Sequence, residues 1–490
     1  MKKIKIIPIL LLFTLLVSVF APCALAEGTN TTAVAAPELT ANAAILADMD
    51  NGAFYVAKNT ESKAYPASLT KIMTVLLAVE AVERGDVSLK DEITAYDDCL
   101  TGLDEDSSSA DIVPGEVMTL ENYLYCAMVA SANEACNVIA EYLSGSISDF
   151  VALMNQRAEA LGCTGTHFTN TNGLPDKEHY TTAMDLYRIT TEAMQHELFV
   201  TLCNTPTRTI PATNKSETRE LKNTNGLINA DSPMYKGYFY DYAKGVKTGH
   251  TSDAGYCLIS TAEKDGIRLM CIVLGCTAKT RANGTTDFGS FSDTITLYDW
   301  VFQNFSLRDI ISTTELIREV PISLARDTDS VTVRAQSSIS AVLPNDDDLS
   351  TYQRDIVIYN ERDGETLKAP ISAGDVLGEI TISKDGVTYG TVPLVATVDV
   401  ELSRGEFLRS SVRAFFRNPI VILVLLVIVA LIIGYVVLYI RYQKRQNAKK
   451  HAAMQARRAA AQQRDRQAQQ ALVNEFSISS QDRETVSSKK

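Results

Sequence analysis

The spacing of apolar residues changes along this chain, and each change predicts an element. Ala43-Ala44-Ile45-Leu46-Ala47 and Ala53-Phe54-Tyr55-Val56 are short apolar runs on either side of Asp50-Asn51-Gly52. Asn-Gly between such runs predicts a tight β-hairpin, because the favoured two-residue turn needs φ > 0. Residues 68 to 84 switch to helical spacing and stop at Gly85. Thr119 to Val129 and Asn133 to Leu143 predict two more helices, broken at Ala130-Ser131-Ala132. From Gly245 to Leu274 the pattern turns to strands: Tyr256 to Thr261, a turn at Lys264-Asp265-Gly266, then Arg268 to Leu274. Tyr298 to Phe305 predicts a closing helix. Strands at both ends with helices between predict one α/β (α+β) domain over residues 39–305. Its strands are hairpin-linked, so the sheet is expected to be mainly antiparallel.

Beyond it the runs shorten. Val331 to Arg334, Asp355 to Tyr359, Leu377 to Ile382 and Val392 to Val400 are β-rich, separated by turn clusters such as Pro344-Asn345-Asp346 and Lys384-Asp385-Gly386. They predict a small β-rich domain over residues 306–404, with no catalytic cluster of its own. Residues 447 to 471, rich in Ala, Gln and Arg, read as a surface helix or a disordered tail.

Two long apolar segments place the chain at a membrane. Lys2, Lys3 and Lys5 precede an apolar stretch from Ile6 to Phe20, and Ala24-Leu25-Ala26 fits a small-x-small cleavage site. Residues 1–26 therefore read as a signal peptide, followed by a flexible lead-in over 27–38. Ile420 to Ile440 carries no charge and is long enough to span a bilayer. A juxtamembrane linker (405–419) precedes it, and a basic tail (441–490) comes after it. Arg409, Arg413 and Arg417 lie before the span, but the tail carries more basic residues. Basic residues stay on the cytoplasmic side, so the expectation is a single-pass plasma-membrane protein with its ectodomain outside and its tail in the cytoplasm.

The formal net charge is -13, although leader and tail are both basic. The acid therefore lies in the ectodomain, which excludes nucleic acid as a natural partner. Eight cysteines come after the leader without a C-x-x-C; several sit in apolar stretches and read as small hydrophobes. The five His are scattered with no metal-ligand spacing, so neither metal nor cofactor is expected.

Three short motifs carry the chemistry: Ser68-Leu69-Thr70-Lys71, Ser131-Ala132-Asn133 and Lys247-Thr248-Gly249. Each alone is bland. Ser68 reads as an N-cap, Ser131 and Asn133 as capping residues, and Lys247-Thr248-Gly249 as a strand end. Ser487-Ser488-Lys489-Lys490 also matches the first pattern, in a polar tail. In this order, in helix, loop and strand contexts, the three form the S-x-x-K, S-x-N and K-T-G set of acyl-transferring serine enzymes. A serine hydroxyl attacks only when a base takes its proton, and Lys71, one helical turn from Ser68, is placed to be that base. It must be neutral to act, and burial beside a second cation, Lys247, lowers its pKa in that direction. Ser131 can relay the proton to the leaving amine, while Asn133 orients Lys71 and holds a substrate amide. Lys247 and Thr248 can bind a terminal carboxylate, and the small Gly249 lets a substrate backbone approach. The N–H groups of Ser68 and His250 can form an oxyanion hole.

Longer segments carry a resemblance. Tyr65-Pro66-Ala67-Ser68-Leu69-Thr70-Lys71-Ile72-Met73-Thr74 resembles the active-serine segment of D-alanyl-D-alanine carboxypeptidases, the low-molecular-mass penicillin-binding proteins. Gly245 to Thr251 with Ala254-Gly255-Tyr256 is similar to their third motif. Phe168-Thr169-Asn170 through Gly173-Leu174, and His179 to Ala183, fit the same family. The resemblance implies a sheet flanked by helices with a helical subdomain, followed by a β domain. It also implies removal of the terminal D-alanine from peptidoglycan stem pentapeptides through an acyl-serine, with β-lactams as covalent inhibitors. Carried over by motif, Ser68 is nucleophile, Lys71 base, Ser131 relay, Asn133 positioner and Lys247 carboxylate anchor; Arg281 is a further carboxylate contact. One departure is the full span with a tail, where many relatives end in an amphipathic helix on the membrane.

Two rivals stand beside this reading. A class A-like β-lactamase uses the same motifs but needs a carboxylate that activates water for deacylation; Glu159, Glu178 and Glu192 fall in the right interval without a recognisable context. A catalytically silent wall-binding scaffold would not need a nucleophile and base.

Overall fold

The computed structural model describes residues 34–104, 107–282 and 284–484; the leader and most of the lead-in lie outside them. The chain divides into two compact units, one of residues up to 312 with 338–354 and 381–390, the other of 313–337, 355–380 and the chain from 391 on.

The first unit opens with the predicted hairpin, β1 (Ala43–Asp48) and β2 (Phe54–Lys58), paired antiparallel with Gly52 at φ 74°. A 3-10 turn over Ala67–Thr70 leads into α1 (Lys71–Glu83). The small hairpin β3 (Glu92–Thr94) and β4 (Val117–Thr119) precedes α2 (Leu120–Val129), α3 (Asn133–Ser144) and α4 (Ile147–Ala160). Then come α5 (Ala183–Ala193), α6 (Glu197–Cys203) and a second small hairpin, β5 (Thr207–Ile210) and β6 (Arg219–Lys222). The strands β7 (Ala243–Thr251), β8 (Gly255–Lys264) and β9 (Ile267–Cys276) complete a five-stranded sheet in the order β2-β1-β9-β8-β7. Each pairing in it is antiparallel, as the hairpin linkage requires. A short ladder, β10 (Ala278–Thr280) with β11 (Thr286–Phe288), leads to α7 (Gly289–Asn304).

The sheet is covered on both faces. Side chains alternate along a strand, and β1 divides accordingly between two cores. Ala43, Ile45 and Ala47 belong to the core shared with α1 to α6, while Ala44 and Leu46 belong to the core shared with α7. Near-continuous apolar runs in β1, β8 and β9 are the sequence signature of that double burial. α7 starts nine residues before the predicted Tyr298. Its first turns, Gly289-Ser290-Phe291-Ser292, lack a helical signature and form where Gly289 meets Thr40 and Thr277. A Cβ there would lie 2.2 Å from the Thr40 hydroxyl oxygen.

Beyond α7, β12 (Phe305–Ile311) pairs with β15 (Ile339–Pro344). A six-stranded sheet joins β16 (Gln353–Ile358), β18 (Val376–Lys384), β19 (Val387–Ala396), β14 (Ser330–Ala335), β13 (Leu316–Ser323) and β17 (Leu367–Lys368), in that order. Between β16 and β17 lies the one-turn α8 (Tyr359–Arg362). The predicted linker is helical: α9 (Arg404–Arg417) is capped by Ser403, whose side chain accepts from the Glu406 N–H, a Ser-x-x-Glu start signal present in the sequence. The predicted span lies in α10 (Pro419–Glu484), where nearly all apolar side chains from Ile420 to Ile440 are exposed; by length and composition it can cross a membrane.

Candidate active site

Ser68 and Lys71 meet because of the local helix type. The segment is a 3-10 turn at Ser68, not the start of an α-helix, and residues three apart nearly eclipse in a 3-10 turn. The Lys71 ammonium or amine lies 2.9 Å from Ser68 Oγ. It also donates to Asn133 Oδ1 at 2.7 Å and to the Asn172 carbonyl at 2.9 Å. Ser68 is part-exposed, while Lys71 is fully buried. Burial lowers the Lys71 pKa from its usual range to about 8, with Cys136 and Glu134 opposing the shift.

The backbone here is held in an unusual shape. Ala67 and Ser131 both have φ near the left-handed region, at 49° and 60°, where an L-residue is strained by about 1–2 kcal/mol. Ala67 is pinned from two sides. Its carbonyl accepts from Thr70 Oγ1 at 2.9 Å, and Gly173 packs so closely that a Cβ there would lie 1.8 Å from that carbonyl oxygen. Thr70 in turn contacts His179 Nε2 at 2.8 Å, and His179 Nδ1 accepts from the Thr169 N–H at 3.1 Å. The only consistent assignment is a neutral imidazole donating through Nε2, and burial pushes its pKa down to about 4. His179 is thus a buttress under the nucleophile turn.

The second motif sits at the α2–α3 break. Ser131 lines the cleft, and Asn133 opens α3. The next residue, Glu134, is buried and accepts from Ser109 Oγ and the Ala110 N–H, both at 2.7 Å. With the Asn133 N–H donating to Ser108 O at 2.9 Å, it fixes the cleft wall formed by residues 107–111.

The third motif lies on β7, the edge strand beside the nucleophile turn. Lys247 is buried and donates to Thr248 O at 3.3 Å. Burial, with the Lys71 charge second, lowers its pKa well below the lysine range. Burial is the first cause of the fall at both lysines, and the repulsion between their two charges adds to it. Thr248 Oγ1 lies 2.6 Å from Thr224 Oγ1, and both side chains line the cleft. Gly249 makes room on the protein side: a Cβ there would stand 2.9 Å from Pro66 O and 3.3 Å from Ala67 Cβ. Its smallness brings β7 against the turn that carries Ser68.

The cleft has a volume of about 540 Å³ and takes in Ser68, Ser131, Asn133, Thr248, Gly249 and His250. His250 stacks on Tyr256 at 4.2 Å between ring centroids. Arg281 is not brought to it. This residue lies in the β10–β11 turn, largely exposed, and pairs with Asp287 at 3.1 Å. Glu159, Glu178 and Glu192 do not line the cleft either, and Glu192 is spent on Arg157. Sequence reasoning missed Asn172, whose contribution is a backbone carbonyl, and Thr224, which no motif marks.

A family profile described as D-alanyl-D-alanine carboxypeptidase matches residues 30–278, just over half of the chain. The chain belongs to the D-alanyl-D-alanine carboxypeptidase family. A second profile, the C-terminal domain of penicillin-binding protein 5, matches residues 305–402, so the carboxypeptidase domain is followed by the β domain that the resemblance implied. The chain is 28% identical to D-alanyl-D-alanine carboxypeptidase DacF of Bacillus subtilis, across 80% of this chain and 94% of the relative. It is 27% identical to DacA of Escherichia coli K12, across 82% and 94%. Among solved structures, penicillin-binding protein 5 of Haemophilus influenzae superimposes with a TM-score of 0.54 at 27% identity, covering 75% of this chain and 99% of that one. Arg281 falls outside the residues matched to the carboxypeptidase profile.

Proposed function

We propose that this family member removes the terminal D-alanine from peptidoglycan stem pentapeptides through an acyl-Ser68 intermediate, and that β-lactams acylate the same oxygen. The observation that carries the reading is the buried Lys71 amine 2.9 Å from Ser68 Oγ. Neutral Lys71 takes the Ser68 proton as Oγ attacks the penultimate carbonyl. The oxyanion forms against the N–H groups of Ser68 and His250. Ser131 passes the proton to the departing amine, the C–N bond breaks, and D-alanine leaves. Water then attacks the ester with Lys71 again as base, and Ser68 recovers its proton. Lys247, with the hydroxyls of Thr248 and Thr224, holds the terminal carboxylate, and Asn133 keeps Lys71 aimed; Arg281 has no part in this site.

The domain assignment rests on the same reading: a catalytic domain over 39–305, a β domain over 306–404 and a span over 420–440. The catalytic domain faces the peptidoglycan outside the plasma membrane, and the basic tail lies in the cytoplasm. Protease accessibility of the tail in right-side-out vesicles tests that orientation; digestion from outside would reverse it.

The chemistry is tested by tracking intact mass and peptide maps after brief exposure to benzylpenicillin, alongside D-alanine release from a pentapeptide. A long-lived adduct on Ser68 with D-alanine release is the expected result. Rapid loss of the adduct with accumulating hydrolysed drug would make the chain a β-lactamase. A folded protein with neither adduct nor turnover would be a scaffold.

A further inference from the structure

Behind the nucleophile and its base lies a layer of buried polar contacts that the mechanism leaves unused. On α1, Thr74 comes one turn after Lys71, and on α3, Asn137 comes one turn after Asn133, so each pair shares a helix face. The turn Thr171-Asn172-Gly173 is bonded to both helices. Its Asn172 carbonyl accepts from Lys71 at 2.9 Å. One residue earlier, the Thr171 carbonyl accepts from Thr74 Oγ1 at 2.6 Å, and Thr171 Oγ1 donates to Asn137 Oδ1 at 2.7 Å. Asn137 Nδ2 donates in turn to the Cys99 carbonyl at 3.0 Å. Thr74, Asn137, Thr171 and Asn172 are all buried.

A lysine ammonium has three N–H donors and no acceptor; the neutral amine has two N–H donors and one lone pair. Asn133 Oδ1, at 2.7 Å, and the Asn172 carbonyl, at 2.9 Å, are both acceptors and take those two donors. The lone pair is left facing the third neighbour, Ser68 Oγ, at 2.9 Å. A base needs that orientation, because the proton it takes must lie within hydrogen-bond reach of it. Asn133 is fixed as the first residue of α3. The Asn172 carbonyl belongs to a turn, which keeps its place through its bonds. Within the turn, Asn170 Oδ1 accepts from the Gly173 N–H at 2.7 Å and sets its shape. The bonds to Thr74 and Asn137 set its place against the two helices.

We propose that Thr171 and Asn137 are positioning residues for the general base: their bond, with that of Thr74, holds the Asn172 carbonyl on Lys71 and so aims the lone pair of the neutral amine at Ser68. The inference rests on the proposed function, in particular on Lys71 as the base. Without the Thr171 hydroxyl, Asn137 Oδ1 loses the donor that satisfies it in a buried place, and an orphaned buried acceptor costs more than the net worth of the bond. The turn then shifts or takes in water, and the Asn172 carbonyl leaves Lys71. With one acceptor gone, the amine turns about its Cε–Nζ bond and the lone pair no longer points at Ser68.

The test uses the full chain in detergent and stopped-flow labelling by a fluorescent penicillin, resolved into the dissociation constant of the non-covalent complex and the limiting acylation rate. Thr171→Val keeps the branched shape and removes the hydroxyl. It should lower the limiting rate about ten- to a hundredfold, the scale of a displacement of about 1 Å near the reacting groups. The dissociation constant should move less than about twofold, because the bond serves the chemical step and not ground-state binding. Thr171→Ser, which keeps the hydroxyl, should recover most of the loss. Thr74→Val removes the turn's other tie and should lower the limiting rate in the same way, which keeps the test open if Thr171→Val folds poorly. In the Lys71→Met background, Thr171→Val should have no further effect, since residues that act through one group are not additive. A limiting rate in folded Thr171→Val and Thr74→Val equal to that of the natural chain, or an equal loss with and without Lys71, overturns the proposal. Full labelling speed in Lys71→Met alone removes the base reading itself, and the proposal with it.

Discussion

The two units handle polarity in opposite ways. Among the described residues, every buried polar or charged side chain lies at or before Thr294, including Lys71, Glu134, His179, Asp185 and Lys247. The second unit buries apolar side chains such as Val333, Ile380 and Leu394. Burying a charge costs several kcal/mol unless it is paired and hydrogen-bonded, so a fold selected only for stability avoids it. The first unit instead buries charge in several places, and Lys71, Glu134, His179 and Lys247 are four of those residues that stand at the cleft or under the Ser68 turn. Glu134 and His179 are fully engaged in holding loops. The two lysines are not fully paired by acids, and burial lowers the pKa of both, which at Lys71 favours the neutral form that proton transfer needs.

The largest expected effects come from removing that chemistry. Ser68→Ala should abolish both penicillin labelling and D-alanine release with an unchanged circular dichroism spectrum, and residual release would end the acyl-serine reading. Lys71→Met should slow acylation by roughly 10²–10⁴-fold, the range of a lost general base, read by stopped-flow labelling. The pH dependence of acylation ranks next. In the proposed mechanism Lys71 acts as the free base, and burial lowers its pKa to about 8, so the rate should climb several-fold from pH 7 to 8 and level off above about pH 9. A flat profile would give the base role to another group.

Stability tests come after these. Ile380→Ala should cost about 2–5 kcal/mol in calorimetry while leaving the pH profile of acylation in place, because the sheet contributes packing only. His179 gives a pH-linked term. Its folded pKa, about 4, lies below the unfolded value of about 6.5. Above about pH 6.5 both states are neutral and its contribution is complete. As pH falls from about 6.5 toward 4 only the unfolded chain takes the proton, so stability drops, by up to about 3 kcal/mol. His179→Gln should flatten that part of the curve. Arg281→Ala should change acylation less than about twofold, since its exposed pair with Asp287 is weak; a large loss would bring Arg281 back into the site.

Much of this was legible in the residues. The Asn51-Gly52 hairpin, the helices broken at Ser131, the strands around Asp265-Gly266 and the apolar run from Ile420 are local signals, and each became the element it predicts. The three motifs named the site because their spacing encodes chemistry directly. Local pattern did not reach the first turns of α7, which form against Thr40 and Thr277 far away in sequence. Nor did it reach β12, β13 and β15, where apolar and polar residues alternate without turn signals strong enough to separate them.

The sequence alone determined which groups the proposed chemistry uses, since a serine, two lysines and an asparagine stand in it at fixed spacings. Only the tertiary structure decided how they are tuned. Burial set the lysine pKa values, Gly173 and Gly249 allowed distant backbone to pack on the nucleophile turn, and the fold turned Arg281 to solvent and to Asp287. Desolvation and close packing depend on what surrounds a residue, and residues distant in sequence meet only when the chain has folded.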